Sequence, residues 1–155
     1  GPTGGVKEAA LRPAYFALIG ENPEPDAFNA VRGKQGWREA EFTISGKTIK
    51  TATASGLGEA KRLIEAIKSG RAHYDFVEIM ACPGGCVGGG GQPIKDGCEF
   101  AEKRGKLLYE IDKKRTIRFS HENESIAALY AEYLGKPLSE KSRRLLHTDR
   151  ENWKL

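Results

Sequence analysis

Cys82 and Cys86 stand four positions apart in the segment EIMACPGGCVGGGGQP (Glu78 to Pro93), and a run of four glycines, Gly88 to Gly91, follows them. A disulfide, a zinc site, a thiol redox pair, a phosphate loop and an iron–sulfur site all use parts of such a pattern. A phosphate loop ends its glycines in Gly-Lys-Ser/Thr, whereas these end in Gln92-Pro93. Zinc sites pair a C-x2-C with a second Cys or His pair, and His73, His121 and His147 have no such spacing. Thiol redox motifs are C-x-x-C with the first thiol at a helix start, and here three residues intervene. Three cysteines, an odd number without a secretory leader, argue against a disulfide framework and for a reducing compartment. An iron–sulfur site explains more of the residues. Thiolates bind iron, backbone N–H groups tune the sulfurs, and only glycine lets the backbone approach a bulky cluster in any conformation. Pro83 stiffens the turn after the first thiol, and Gly84 and Gly85 let the chain fold round so that Cys86 reaches the same centre. A cubane needs four ligands, so two must come from elsewhere.

The same string resembles the third cysteine signature of the iron-only (FeFe) hydrogenases. TGGVKEAALR (Thr3 to Arg12) looks like that family's Thr-Gly-Gly loop and helix, and LGKPLSEKSRRLLHT (Leu134 to Thr148) looks like its usual ending. The resemblance covers the whole chain and implies a C-terminal portion of the catalytic domain, with the family's two other cysteine signatures lying upstream of Gly1. It implies that Cys82 ligates the 4Fe-4S cubane of the H-cluster, and that Cys86 also bridges that cubane to the 2Fe subsite where hydrogen forms. Met80 would pack against the diatomic ligands of that subsite; its plainer reading is core packing at a strand end. Thr3, Gly4, Gly84 and Gly85 would lie close to the cluster, and the phenylalanine usual just ahead of Thr3 is missing. Lys7 stands where the family has Met, and Pro13 departs from the expected helix residue. Cys98, twelve positions after Cys86, matches no family ligand and reads as a small half-buried residue. Glu78 reads either as a buried carboxylate in a hydrogen-bond network or as a strand-edge group, and not as catalytic.

These residues need elements to hold them. Val6 to Ile19 has helical spacing, with Pro13 expected to kink it or to begin a second helical stretch. Phe28 to Arg32 reads as a short strand. Arg38 to Ser45 alternates as a half-buried strand, SGK turns the chain, and Thr48 to Ala54 returns, so this is a hairpin. Gly58 to Ser69 is a helix burying Ala60, Leu63, Ile64 and Ile67, with Gly70 just past its end. Tyr74 to Met80 is nearly continuously apolar and reads as a central strand buried on both faces, aimed into the cysteine loop. A helix from about Cys98 to Lys114 carries Phe100, Ala101, Leu107, Leu108 and Ile111 inward. Asn123 and Ser139 cap two further helices, the first stopped by Gly135, and the tail after His147 is expected to be loose. The fold class is α+β, a small four-stranded sheet flanked by four or five helices, forming one lobe over residues 1–155.

The 155 residues are 39% apolar and 30% charged, enough for one good core. The longest uncharged run, Ile79 to Ile94, is too rich in glycine and proline to span a bilayer as a helix, so no membrane partner is expected. The net charge of +4 reflects 25 basic against 21 acidic residues. The basic runs at Lys103–Lys106 and Lys113–Arg115 lack interleaved aromatic residues, which speaks against nucleic acid and leaves a solvated face or the docking of an acidic electron carrier. A chain starting GPTGG reads as a cut end, and Gly1-Pro2 as a protease scar. The expected activity is therefore that of part of an FeFe hydrogenase, cytoplasmic, interconverting protons and electrons with hydrogen. Its expected partners are the N-terminal half of the catalytic domain and ferredoxin or a similar carrier. The piece alone is expected to be inactive and without a stable cluster. Two alternatives stay open: a hydrogenase-like protein of iron–sulfur assembly or prelamin recognition, and a sensory hydrogenase.

Overall fold

The alternating segment Arg38 to Ser45 and the β-branched return from Thr48 to Ala54 pair as expected. In the computed structural model, which describes residues 1–33 and 36–147, β1 (Gly36–Ile44) and β2 (Lys47–Ser55) pair antiparallel with Phe42 opposite Ile49. Their two-residue turn needs left-handed backbone at both positions, and Ser45 (φ 51°) and Gly46 (φ 75°) supply it. β3 (Phe76–Met80) lies parallel to β2, reached through α2 (Leu57–Lys68), so the sheet has three strands in the order β1-β2-β3. A parallel pair requires such a crossover, and α2 provides it.

The sheet has two unlike faces, as strand periodicity demands. Ala52 and Ala54 of β2 pack on Ala60 and Leu63 of α2, with Trp37, Tyr74 and Val77 around them. On the opposite face Leu11, Phe28, Val31 and Ile44 form a second cluster with Phe42, Ile49 and Phe76. That face belongs to α1 (Gly5–Ile19), which runs through Pro13 as one helix and buries Lys7, Glu8, Leu11 and Arg12. Under its first turn the sheet presents Thr51, Thr53, Ser55 and Glu78, all buried, so the interior here is polar.

The expected α+β class holds, but among the described residues the sheet has three strands and not four. Phe28 to Arg32 forms no strand: Asn29–Val31 is a single 3₁₀ turn, which lets Phe28 and Val31 both enter the core under α1. β3 is also an edge strand and not the central one, and Ile79 is 43% exposed. A short apolar run does not reveal how many neighbours its strand has. In α2 the inward residues are Ala60, Leu63 and Ala66, with Ile64 and Ile67 partly exposed. α3 (Ala101–Lys114) starts three residues later than expected and buries Gly105, while Leu107, Leu108 and Ile111 are exposed.

Residues Gly1–Arg118 form one compact unit and Phe119–Leu155 a second. In the second, the Asn123 side chain accepts the Ser125 N–H to start α4 (Glu124–Leu129), which continues as a wider π turn over Tyr130–Leu134 and stops at Gly135. Ser139 Oγ accepts the Ser142 N–H to start α5 (Glu140–Leu146). Both caps fall where the sequence places them. The tail after His147 lies outside the described residues. No helix among them is long and apolar enough to cross a membrane.

Candidate functional site

β3 ends at Met80, and the chain enters the cysteine loop with Cys82 half-buried and Cys86 exposed, both as free thiols. The loop is pinned from two sides. From β2, Ser55 Oγ accepts the Gly84 N–H at 2.8 Å, and the carbonyl of Met80 accepts the N–H of Gly56 at 2.8 Å. From the start of the chain, Thr3 N–H donates to the Gly84 carbonyl (3.0 Å) and Cys86 N–H donates to the Gly1 carbonyl (2.8 Å), so Pro2 and Gly85 pair as an antiparallel bridge. Gly85 has φ 91°, and a Cβ on it would lie 2.6 Å from both the Gly1 oxygen and the Thr3 nitrogen. Glycine is required there on both counts.

The Thr3-Gly4-Gly5 loop is positioned by Glu78. Gly4 is the N-cap of α1 and has no side chain to cap with. The Glu78 carboxylate reaches across from β3 instead, accepting the Gly4 N–H at 2.5 Å and the Lys7 N–H at 2.6 Å. Two of the unpaired donors of the helix start are thus satisfied by an anion placed where the helix dipole favours it. Thr3 Oγ1 donates to Ser55 Oγ at 3.3 Å, and a Cβ on Gly4 would lie 2.1 Å from the Val31 carbonyl oxygen. Glu78 is therefore the buried network carboxylate of its two sequence readings, four residues ahead of Cys82.

A second ionic cluster ties α1 to the segments beside it. Arg12 donates to Glu8 (2.9 Å) and to Asp112 (3.1 Å), Arg32 donates to Glu8 (2.6 Å), and Arg118 bridges Asp112 (2.5 Å) and Asp26 (2.9 Å). The hydrogen bond to Glu8 holds the Arg32 guanidinium above its ordinary pKa despite partial burial. Burial pushes Asp112 upward, but the bonds from Arg12 and Arg118 outweigh it and leave the carboxyl below its usual range. Arg32 also stacks over the Tyr109 ring at 4.1 Å. Burial raises the Tyr109 phenol to about 12, with Arg32 acting against the rise and Glu8 and Glu78 adding to it.

The structure therefore brings Thr3, Gly4, Gly84, Gly85, Cys82 and Cys86 into one assembly, with Met80 half-buried at its entrance and in neither apolar cluster. Cys98 is outside it, exposed in a turn where it bridges to Lys95. Sequence reasoning missed Ser55, whose signal was its place on the same strand face as Thr51 and Thr53, and the Glu8–Arg12 pair, whose i, i+4 spacing was visible. Among the described residues no third Cys, His, Asp or Glu joins the two thiols in a metal-holding group. What the loop does present is a close cradle: a Cβ on Gly89 would sit 3.3 Å from Cys82 Sγ and 3.3 Å from the Cys86 carbonyl oxygen. Two free thiols wrapped by side-chain-free backbone fit part of a thiolate-held cluster.

Comparison with known proteins points the same way. The family model described as iron only hydrogenase large subunit, C-terminal domain, matches residues 1–90, and the model described as iron hydrogenase small subunit matches residues 98–150. The chain is 46% identical over 149 residues to the NADP-reducing hydrogenase subunit HndD of Solidesulfovibrio fructosivorans, covering 96% of this chain and 25% of that protein. It is 32% identical over 155 residues to Protein NAR1 of Arabidopsis thaliana, covering 96% of this chain and 32% of the other. An apo FeFe-hydrogenase HydA1 structure from Chlamydomonas reinhardtii superposes with a TM-score of 0.75 at 43% identity, over 96% of this chain and 44% of that one. The chain thus spans about a quarter to a third of the length of these curated relatives.

Proposed function

We propose that this chain, which belongs to the family of iron-only hydrogenase large subunits in their C-terminal domain, supplies two cysteine ligands to the hydrogen-producing cluster of a larger enzyme. The observation that carries the reading is the pinned loop at the end of β3, in which Cys82 and Cys86 sit on backbone tied to Gly1, Thr3 and Ser55. When bound, such a cluster supplies electron storage and the metal at which protons are reduced.

The chain's own residues do the holding. Cys82 and Cys86 would hold the cluster through their thiolates, Cys82 at its 4Fe-4S part and Cys86 at both that part and the 2Fe subsite. Gly89 keeps a side chain away from the Cys82 sulfur, and Gly85 lets the loop close against the Gly1 and Thr3 backbone. Thr3 buttresses the loop through Gly84 and Ser55, Gly4 is held in place by Glu78, and Met80 offers a soft apolar wall at the entrance. The two remaining cubane ligands would come from an upstream half of the catalytic domain, and electrons from ferredoxin or a similar carrier as a separate partner.

The test is made in the complete hydrogenase that carries this segment. Cys86→Ser abolishes hydrogen turnover, while Cys98→Ser leaves iron content and turnover nearly unchanged. Loss of iron in the Cys98 variant would overturn the ligand assignment. A second reading has a specific support, the 33% identity over 152 residues to the cytosolic Fe-S cluster assembly factor narfl of Xenopus tropicalis: a parent protein that serves iron–sulfur assembly. A parent protein that binds 4Fe-4S and produces no hydrogen after cluster maturation would favour it.

A further inference from the structure

Lys7 is the most fully buried cation among the described residues, 1% exposed at the third position of α1. Its Nζ donates to Thr51 Oγ1 at 3.2 Å, and Thr51 in turn donates to the Ala40 carbonyl at 3.1 Å. Among the described residues that is one partner for an ammonium with three donors. From β3 the only charged group facing it is Glu78, whose two oxygens are already engaged by the Gly4 and Lys7 backbone N–H groups. Thr53, in register with Glu78, has a buried hydroxyl with no hydrogen-bond partner among the described residues. Tyr109 on α3 senses Glu78, and Glu8, Arg12 and Arg32 surround Tyr109 in turn. Lys7 thus sits in an interior that hydrogen-bonds it poorly, on the helix turn that carries the Thr3-Gly4-Gly5 loop.

We propose that Lys7 is a pH-sensitive latch, its charge setting how readily the first turn of α1 lifts from β2 and β3 and releases the backbone that buttresses the cysteine loop. The physical cause is desolvation. Burial lowers the Lys7 pKa from 10.5 to about 8, with Glu78 pulling the other way. Any opening that returns Lys7 to water restores its ordinary affinity for a proton, so the open form binds the proton more tightly than the closed form. Opening is therefore easiest below about pH 8, where Lys7 is charged in both forms, and becomes harder as pH rises toward 10.5. This latch does not depend on whether the loop holds a cluster.

The test is amide hydrogen exchange on the chain, corrected for intrinsic rate, with α2 amides as internal reference. Between about pH 7 and about pH 9.5 the protection of the Gly4 and Lys7 amides rises on the order of twentyfold relative to α2. In Lys7→Met, a substitution of similar volume, that rise disappears and protection near pH 7 exceeds that of the native chain. Should Lys7→Met fold poorly, ¹³C-labelled lysine in the native chain and in Glu78→Gln provides a second reading. Lys7 then titrates near 8 in the first and lower in the second. Equal protection at both pH values, an unchanged rise in Lys7→Met, or titration of Lys7 near its ordinary value would each overturn the proposal.

Discussion

Glu78 and Gly4, 74 positions apart, are joined by a 2.5 Å hydrogen bond that lets a strand carboxylate cap a helix whose own N-cap is a glycine. The same carboxylate accepts the Lys7 N–H, so Glu78 ties β3 to the start of α1, and the cysteine loop is attached to both.

Replacing Glu78 by Ala leaves two buried backbone donors without a partner and removes the charge opposite the helix start. The expected cost is about 2–4 kcal/mol, the sum of two orphaned donors at about 1–2 kcal/mol each. Urea denaturation of the chain and of the variant measures it, and an unchanged midpoint would mean that another group caps α1.

Asp112 lies below its ordinary carboxylate range, burial acting upward but Arg12 and Arg118 outweighing it. A depressed carboxyl stabilises the fold above its unfolded pKa and loses that contribution as pH falls through the folded value. Asp112→Asn is therefore expected to lower Tm near pH 7. Its difference from the native chain narrows below about pH 3.8, where the native carboxyl takes up its proton. Thermal melts at both ends of that range decide this, and a constant difference would place the contribution elsewhere.

Gly85→Ala forces a methyl against the Gly1 oxygen and Thr3 nitrogen in a left-handed conformation, so the Pro2–Gly85 bridge must open. Gly90, with open space at its Cβ position, serves as the control. The Gly85 variant should lose exchange protection at the Cys86 N–H by at least about tenfold, equivalent to about 1.4 kcal/mol. Gly90→Ala should leave it unchanged.

The isolated chain offers two cysteines and no third Cys, His, Asp or Glu grouped with them among the described residues. After anaerobic reconstitution with iron and sulfide it should hold well under one 4Fe-4S cluster per chain, because a cubane takes four ligands. Electron paramagnetic resonance with iron analysis checks this, and a stoichiometric cluster on a monomer would show that a ligand was overlooked, Cys98 first.

What the sequence determined by itself was local. The hairpin followed from alternation and a Ser-Gly turn, α2 from helical spacing with Gly70 past its end, the Asn123 and Ser139 caps from residue type, and the two-thiol loop from cysteines set among glycines. Each of these depends on residues within a few positions of one another, where propensity and turn chemistry act. Only the tertiary structure decided that Phe28 to Arg32 turns instead of pairing, that β3 lies at an edge, and that α3 turns Gly105 and not Leu107 inward. The same holds for the polar interior, where Thr51, Ser55 and Glu78 serve α1 across 44 to 74 positions. Glu78 and Lys7 read as ordinary charged residues along the chain because what makes them unusual is the loss of water. That loss is set by which elements close over them, and no local pattern encodes it.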